Sequence, residues 1–482
     1  MQVVKNFLYN VSYQLLVIIL PLITVPYVSN VLGAEGVGDY AFTYANMQYF
    51  VIFGMVGITL YGNRQIAYVR DNKEKLKNTF YSIYTLQLMS TTVSFILYLV
   101  FTLVFNNGDY KWLYIVQGIN IIATMTDISW LFMGLEQFKK TVVRNTIVKL
   151  VSLASIFIFV KSSDDTVIYT LIIALSALIG NLTFWLYIPK IIGIKKIKIS
   201  NLKLHLNASL FLFIPQIATQ IYVLLDRTML GLITDTVQVG YYENSQKIVK
   251  VVLTLATAVG TVMMPKVANT VASGDINKVK YYVKNSFFFV SSLSIPLMFG
   301  LMGVAKELSP WFFTDKFTGI ENLIIISSLI ILAISWSNVL GMQLLIPLNK
   351  TREFTISVTA GAIINFTLNL IMIKNLGAYG ACLSTIVAEF TVTAVQFYFV
   401  RDFIKPQNLI NTVLLFIPGA VVMYIVVRII GNSMGSGIVT NLVQGIVGAL
   451  TYFIIVEVIY RIFKKQSIIT YIKSIVKNNE YN

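Results

Sequence analysis

Histidine and cysteine, the residues most used for metal centres and nucleophilic dyads, are almost missing. The 482-residue chain holds one of each, His205 and Cys382. A lone cysteine excludes an internal disulfide, and one of each excludes a His/Cys metal cluster. A Ser–His or Cys–His pair would have to use His205, which lies just beyond the basic stretch ending at Lys203 and reads as a membrane-interface residue. Cys382 follows Gly380-Ala381 in an apolar run and reads as a small packing residue. Charge is scarce as well: 12% of the chain is Asp, Glu, Lys or Arg, where soluble domains carry about a quarter. With 56% apolar residues and a mean hydropathy of +0.75, a soluble multidomain enzyme and a disordered chain are both excluded. Acids are the scarcer sign, 21 against 37 basic residues, a net charge of +16. Such an excess suits nucleic acid or a membrane surface, and the hydropathy decides for the membrane. Long polar loops are lacking, which leaves no room for a nucleotide-binding domain, and no G-x-x-x-x-G-K-[ST] phosphate loop occurs. Direct drive by ATP is thereby excluded, and the short outer segments argue against a membrane-embedded glycosyl polymerase.

What the chain has is apolar length. A membrane-crossing helix takes about 20 mostly apolar residues. Runs of that width occur at 7–32, 40–61, 79–105, 112–135, 143–160, 167–188, 206–231, 241–264, 285–305, 321–346, 354–373, 378–400, 411–430 and 438–460. They are too long and too continuously apolar for barrel strands, and the first is too long for a cleaved signal peptide. The expectation is an all-α polytopic membrane protein with about fourteen transmembrane helices. With the N-terminus inside, 27 of the 37 Lys and Arg residues fall in inside segments and 5 in outside ones. The other 5, Lys149, Arg227, Lys247, Lys250 and Arg428, fall within runs. The positive-inside rule then places both termini in the cytoplasm.

Breakers and turn residues recur six runs apart. Pro21, Pro26, Leu32-Gly33 and Val37-Gly38-Asp39-Tyr40 find counterparts in Pro215, Leu230-Gly231 and Val239-Gly240-Tyr241-Tyr242. The order predicts two parallel six-helix lobes, 1–204 and 205–405, followed by a helix pair and basic tail, 406–482. A weaker echo, Leu32-Gly33-Ala34-Glu35-Gly36 against Leu376-Gly377-Ala378-Tyr379-Gly380, is equally explained by the likeness of glycine-rich turns. Pro21, Pro26, Pro215, Pro296 and Pro418 read as kinks within runs.

Ionisable groups inside spans cost roughly 2.5–3.5 kcal/mol each on the insertion scale, so they mark wet cavities or partners. Here they are Asp127, Lys149, Asp226, Arg227, Glu243, Lys247, Lys250, Glu389, Arg428 and Glu457. Helical spacing gathers Glu243, Gln246, Lys247 and Lys250 on one face, and likewise Gln117, Asn120, Thr124 and Asp127. Asn145, Lys149, Ser152 and Ser155 form a third stripe, and Thr385, Glu389, Thr393 and Gln396 a fourth. Polar stripes on several helices fit a common central cavity, and basic residues in it would attract an anion, phosphate above all. The competing account is a set of interhelical ion pairs, for which Glu243–Lys247 is well placed. Arg428 and Glu457, on the final pair, read as structural. The tyrosines fit interfacial belts, with Tyr40, Tyr44, Tyr241 and Tyr242 also candidates to stack on sugars at a cavity mouth.

Several segments carry a family resemblance. They are 32–38 (LGAEGVG), 127–139 (DISWLFMGLEQFK), 213–218 (FIPQIA), 225–231 (LDRTMLG) and 240–248 (GYYENSQKI). In these the chain resembles the polysaccharide-unit flippases of bacterial envelope synthesis, the Wzx type. Their superfamily also holds the lipid II flippases and the MATE drug exporters. Met133 stands where many relatives have Gln.

The resemblance implies V-shaped lobes around a central cavity in the bacterial cytoplasmic membrane. The implied substrate is an oligosaccharide repeat unit on undecaprenyl pyrophosphate, moved to the outer leaflet by alternating access for capsule, exopolysaccharide or another surface polymer. On that basis Lys149, Arg227, Lys247 and Lys250 are assigned to the pyrophosphate and the polar lining, Gln117, Asn120, Thr124 and Gln246, to the sugars. Asp127, Asp226, Glu243 and Glu389 are assigned to tuning those cations or to carrying a coupling proton. No cofactor and no nucleic acid is expected. Proton or sodium coupling is allowed for, and a polymerase and glycosyltransferases are the expected protein partners. The rival functions are a cation-coupled drug antiporter on the same fold and a membrane scaffold that transports nothing.

Overall fold

In lipid every backbone N–H and C=O must be satisfied within its own segment, so long apolar runs become helices. The computed structural model describes residues 2–105, 108, 110–193 and 202–471, and among them there is no β-strand. Lys195, Lys196, Lys198, Lys473 and Lys477, and the side chains of Lys5, Pro215 and Gln216, lie outside the described residues. The chain divides into two compact units, Met1–Gly240 and Tyr241–Asn482.

The helices of the first unit are α1 (Gln2–Met55), α2 (Ile58–Val69), α3 (Lys73–Phe105), α4 (Lys111–Met125), α5 (Ser129–Gly134), α6 (Phe138–Phe159), α7 (Thr166–Trp185), α8 (Ile188–Ile191) and α9 (Leu202–Ile233). Helix α10 (Thr236–Ala272) leads into the second unit, which continues with α11 (Ile276–Phe312), α12 (Ile320–Ser327) and α13 (Leu329–Ser337). A π-helical segment, Asn338–Leu345, extends α13. Then come α14 (Thr351–Leu376), α15 (Ala378–Val400), α16 (Pro406–Val413), α17 (Ile417–Met434) and α18 (Ile438–Lys464).

All fourteen apolar runs fall on helix, while among the described residues twelve segments are long and apolar enough to cross a membrane. The numbers differ because the first two runs share the segment Ile19–Val69, and the seventh lies on α9, outside the twelve. The division between units falls one helix later than the 204/205 boundary expected from counting runs, because α9 packs on α1, α2 and α3. The final pair, α17 and α18, packs on α11 and belongs to the second unit.

The breaks have identifiable causes. Helix α1 passes Pro21 and Pro26 and leaves helical geometry at Gly33 (φ 69°, ψ −173°), a conformation only glycine adopts without strain. Gly377, between α14 and α15, also has a positive φ of 52°. The echo between 32–36 and 376–380 is thus one of turn chemistry, whereas Gly231 lies inside α9. Close approach explains another pair of glycines. A Cβ on Gly38 would lie 1.7 Å from the Thr236 carbonyl oxygen, and one on Gly240 2.0 Å from that of Ala34. The two glycine motifs therefore meet backbone to backbone. Pro418 stands in the first turn of α17, where its missing N–H costs nothing; it starts a helix and does not kink one.

Burial separates the helices by role. In α4–α5 and in α12–α13 with its π-helical extension, 56% of the apolar window is buried, against 11% in α6 and 17% in α18. The exposed residues of α6 and α18 include Ile147, Leu150, Val151, Ile158, Leu442, Ile446, Leu450 and Ile454. Surfaces so apolar need a lipid solvent.

The segment 127–139 owes its character to packing. Trp130, Leu131 and Phe132 are fully buried with Tyr61, Ile66, Phe80 and Phe184. Gln87 locks the break before α5: its amide donates to the carbonyls of Thr124 (2.9 Å) and Asp127 (2.8 Å), and its oxygen accepts from Trp130 Nε1 (2.9 Å).

Candidate functional site

Polar residues cluster in the interior of each unit, and the first unit's cluster joins α1, α4 and α9. Asn46 Nδ2 donates to Tyr114 Oη at 2.8 Å, and Thr228 Oγ1 donates to Asn46 Oδ1 at 3.0 Å. Tyr49 Oη donates to Thr228 Oγ1 at 3.2 Å. One turn along α4, Asn120 donates to Gln117 Oε1 (2.9 Å) and Gln117 to Thr43 Oγ1 (3.4 Å). Buried amides and hydroxyls are held this way because each unpaired one would carry a desolvation penalty. Asp226, 2% exposed, precedes Arg227, whose Nη1 donates to the Val223 carbonyl (2.8 Å).

The stripe on α4 ends earlier than its spacing implies. Gln117, Asn120 and Thr124 share the helix, but α4 stops at Met125 and Asp127 sits in the break. There its carboxylate accepts from the Ser129 amide at 2.9 Å, so Asp127 serves the turn into α5. On α6, Lys149 is half-buried. Arg144, earlier on the same helix, is embedded. It donates to the Gly180 carbonyl (2.7 Å), Asn145 (2.5 Å) and Asn181 (2.6 Å), and it lies over the Phe184 ring.

In the second unit Glu243 and Lys247 form the anticipated i,i+4 pair at 3.5 Å. Gln246 points away from them into the unit's core, donating to Ser327 Oγ at 3.2 Å, while Lys250 is exposed. Ser327 Oγ also donates to the sulfur of Cys382 at 3.1 Å, which fixes that cysteine as a packing residue. On α15, Thr385 Oγ1 meets Tyr242 Oη at 3.3 Å, Thr393 donates to the Ala333 carbonyl (2.9 Å), and Gln396 to Ser357 (3.2 Å). Glu389 lies half-buried between them in sequence. Lys149 and Arg227 thus belong to the first unit, and Lys247, Lys250 and Glu389 to the second.

Some polar residues that matter are not singled out by the sequence. Asn46, Gln87, Tyr114 and Thr228 are isolated polar positions in apolar runs, a signal that is present but does not say what the residue meets. Glu307 lies just past the end of its apolar run, yet its side chain is 6% exposed and accepts from Arg428 Nη1 at 2.7 Å. Gln444 also donates to it, at 3.2 Å. Arg428 is therefore structural, as its place on the final pair suggests. Glu457 accepts from Arg461 (2.5 Å), from Ser467 (3.2 Å) and from the Ile468 amide (3.0 Å), pinning the end of α18. His205 Nδ1 meets Tyr61 Oη at 2.7 Å.

Long helices that expose apolar side chains, with hydrogen-bonded polar residues inside, define a polytopic α-helical membrane protein. The chain belongs to the polysaccharide biosynthesis protein family, whose model matches residues 3–271. It is 24% identical over 414 residues to a putative O-antigen transporter of Escherichia coli (strain K12), covering 83% of this chain and 96% of that one. A shorter match, 22% over 213 residues, is to the probable low-salt glycan biosynthesis flippase Agl15 of Haloferax volcanii, covering 44% of this chain and 45% of that one. Among solved structures the lipid II flippase MurJ in an inward closed conformation shares the fold. Its TM-score is 0.77 at 17% identity, with 94% of this chain and 99% of that one covered. An inward-facing MATE multidrug transporter follows at 0.60 and 12% identity, covering 80% of this chain and 94% of that one.

Proposed function

We propose that this chain is a flippase moving a lipid-linked oligosaccharide from the cytoplasmic to the outer leaflet for surface polysaccharide synthesis. The observation that carries the reading is the likeness to a putative O-antigen transporter over 96% of that protein's length, joined to the fold of a lipid II flippase. One name supplies the saccharide side of such a substrate and the other the lipid side. The chain acts by alternating access and catalyses no bond making or breaking. It works in the bacterial cytoplasmic membrane with both termini inside, supplied by glycosyltransferases and feeding a polymerase.

The physical task is to carry an anionic pyrophosphate past hydrocarbon, where an uncompensated charge is unfavourable. The cations proposed to attract it are Lys149 and Arg227 in the first unit and Lys250 in the second. Lys247 contributes with its charge offset by Glu243. Asn120 and Thr124 meet the sugars, with the fully buried Gln117 accepting from the Asn120 amide, and the lipid tail stays in the bilayer. With Asp127 committed to a turn, Asp226 and Glu389 are the acids for coupling to a proton or sodium gradient. The MATE likeness is one of fold, and no observation favours a drug antiporter.

The test is a deletion strain complemented with the wild type or with K149Q/R227Q/K250Q, checking the amount of protein in the membrane. Undecaprenyl-pyrophosphate-linked repeat units, identified by mass spectrometry, should accumulate in the deletion strain and with the variant, but not with the wild type. Normal surface polymer in the deletion strain would overturn the function. Full export by the variant would overturn the cation assignment alone.

A further inference from the structure

Part of the loop charge that orients the chain is gathered into one cleft of the second unit. Lys280 and Lys284 come from the first turns of α11, Arg401 follows α15 directly, and Lys405 precedes α16. With Asp402, Phe403 and Ile404 they line a space of about 560 Å³. Lysines at i and i+4 on one helix face repel each other, and two further cations face the same space. The single acid there does little to offset them: Asp402 stands 3.9 Å from Arg401 with its side chain 93% exposed. The floor is apolar. Ile404 is buried, and the Lys280 ammonium lies 5.3 Å from the centre of the Phe403 ring. Arg401 stacks on Tyr398 at 3.9 Å, which fixes its guanidinium plane.

Four cations around a shared space, one exposed acid and an apolar floor are complementary to a phosphate group, and the helix ends place the cleft where a span meets the membrane surface. We propose that Lys280, Lys284, Arg401 and Lys405 form a binding site for a phosphate-bearing anion, presented as an anionic phospholipid headgroup or as free phosphate. The site is separate from the transport cations and does not depend on the flippase reading.

Native mass spectrometry of the detergent-purified full-length protein tests it. Phosphatidylglycerol, phosphatidylethanolamine and inorganic phosphate are added in separate arms. Wild type and R352Q, which removes a charge outside the cleft, should retain phosphatidylglycerol over phosphatidylethanolamine. K280Q/K284Q should lose about thirtyfold in affinity, the effect of two surface cations. R401Q/K405Q is the second variant should the first fail to purify as a folded monodisperse species. Retention of phosphatidylglycerol that excess phosphate does not displace identifies the lipid headgroup. Binding of phosphate itself, lost in the same variants, identifies the free anion. Equal retention by wild type and both cleft variants, or an equal loss in R352Q, would overturn the site.

Discussion

Arg428→Met removes one half of an ion pair buried among α11, α17 and α18. Glu307, 6% exposed, would lose the guanidinium 2.7 Å away and keep only the Gln444 amide at 3.2 Å. Arg428 also donates to the Gly303 carbonyl (3.1 Å) and to Asn432 (3.1 Å), so three contacts disappear together. Breaking a buried pair from one side costs about 3–5 kcal/mol because a charge is left uncompensated. Gln444 places this case near the lower end. At about 3 kcal/mol, a unit of this size should lose roughly 6–12 °C in apparent Tm. Removing the charge on both sides is a different perturbation. R428M/E307L leaves no orphaned ion, and well-packed apolar replacements of buried pairs are often close to neutral. The double variant should therefore recover most of the loss, a coupling that a double-mutant cycle measures. The assay is thermal unfolding of detergent-purified protein followed by intrinsic fluorescence and by recovery on size exclusion. An R428M melting curve superposing on the wild type would refute the reasoning, as would a double variant no better than R428M.

Three further outcomes follow from the packing. Gln87→Leu strands the Asp127 carbonyl and the Trp130 indole N–H, while the Thr124 carbonyl keeps the Asp127 amide at 3.2 Å; at about 1–3 kcal/mol for each buried group left unpaired it should give clear thermal destabilisation, and an unchanged Tm would refute the lock. Gly240→Ala drives a Cβ into a backbone carbonyl that cannot rotate away, whereas Gly445→Ala meets nothing within 4 Å. Membrane-fraction immunoblots should show the first depleted and the second at wild-type level. Cys382 is fully buried and is the chain's single thiol. Maleimide labelling should therefore be negligible in the folded protein and rise with the unfolding of the second unit; rapid labelling at low temperature would contradict the burial.

Apolar length carries most of the architecture. At 1.5 Å per residue a run of about 20 apolar residues matches the hydrocarbon core, and hydrogen bonding in lipid leaves helix as its conformation. The helices and the Glu243–Lys247 pair were legible for that reason, since both depend on neighbours along the chain. The packing role of Cys382 was readable from its apolar surroundings. Helix breaks were less legible. Pro21 and Pro26 read as kinks in α1, while the residue that leaves helical geometry is Gly33, because proline fixes φ within the helical range and glycine alone reaches φ 69° freely.

Partners across the bundle lay beyond the sequence. Periodicity states which face a residue occupies and nothing about what packs against that face. Gln87 and Trp130, Asn46 and Thr228, and Glu307 and Arg428 are 43, 182 and 121 positions apart. Gln246 shares a stripe with Lys247 and Lys250 but turns to Ser327, and Asp127 shares spacing with Gln117 but falls past the end of its helix. The same holds for charge. A count of lysines and arginines orients the chain, whereas the meeting of Lys280, Lys284, Arg401 and Lys405 at one cleft depends on helices α11, α15 and α16 ending side by side. Composition and period are properties of the chain. The pairing of polar groups is a property of its packing, because a buried donor is stabilised by whichever acceptor the fold brings within reach.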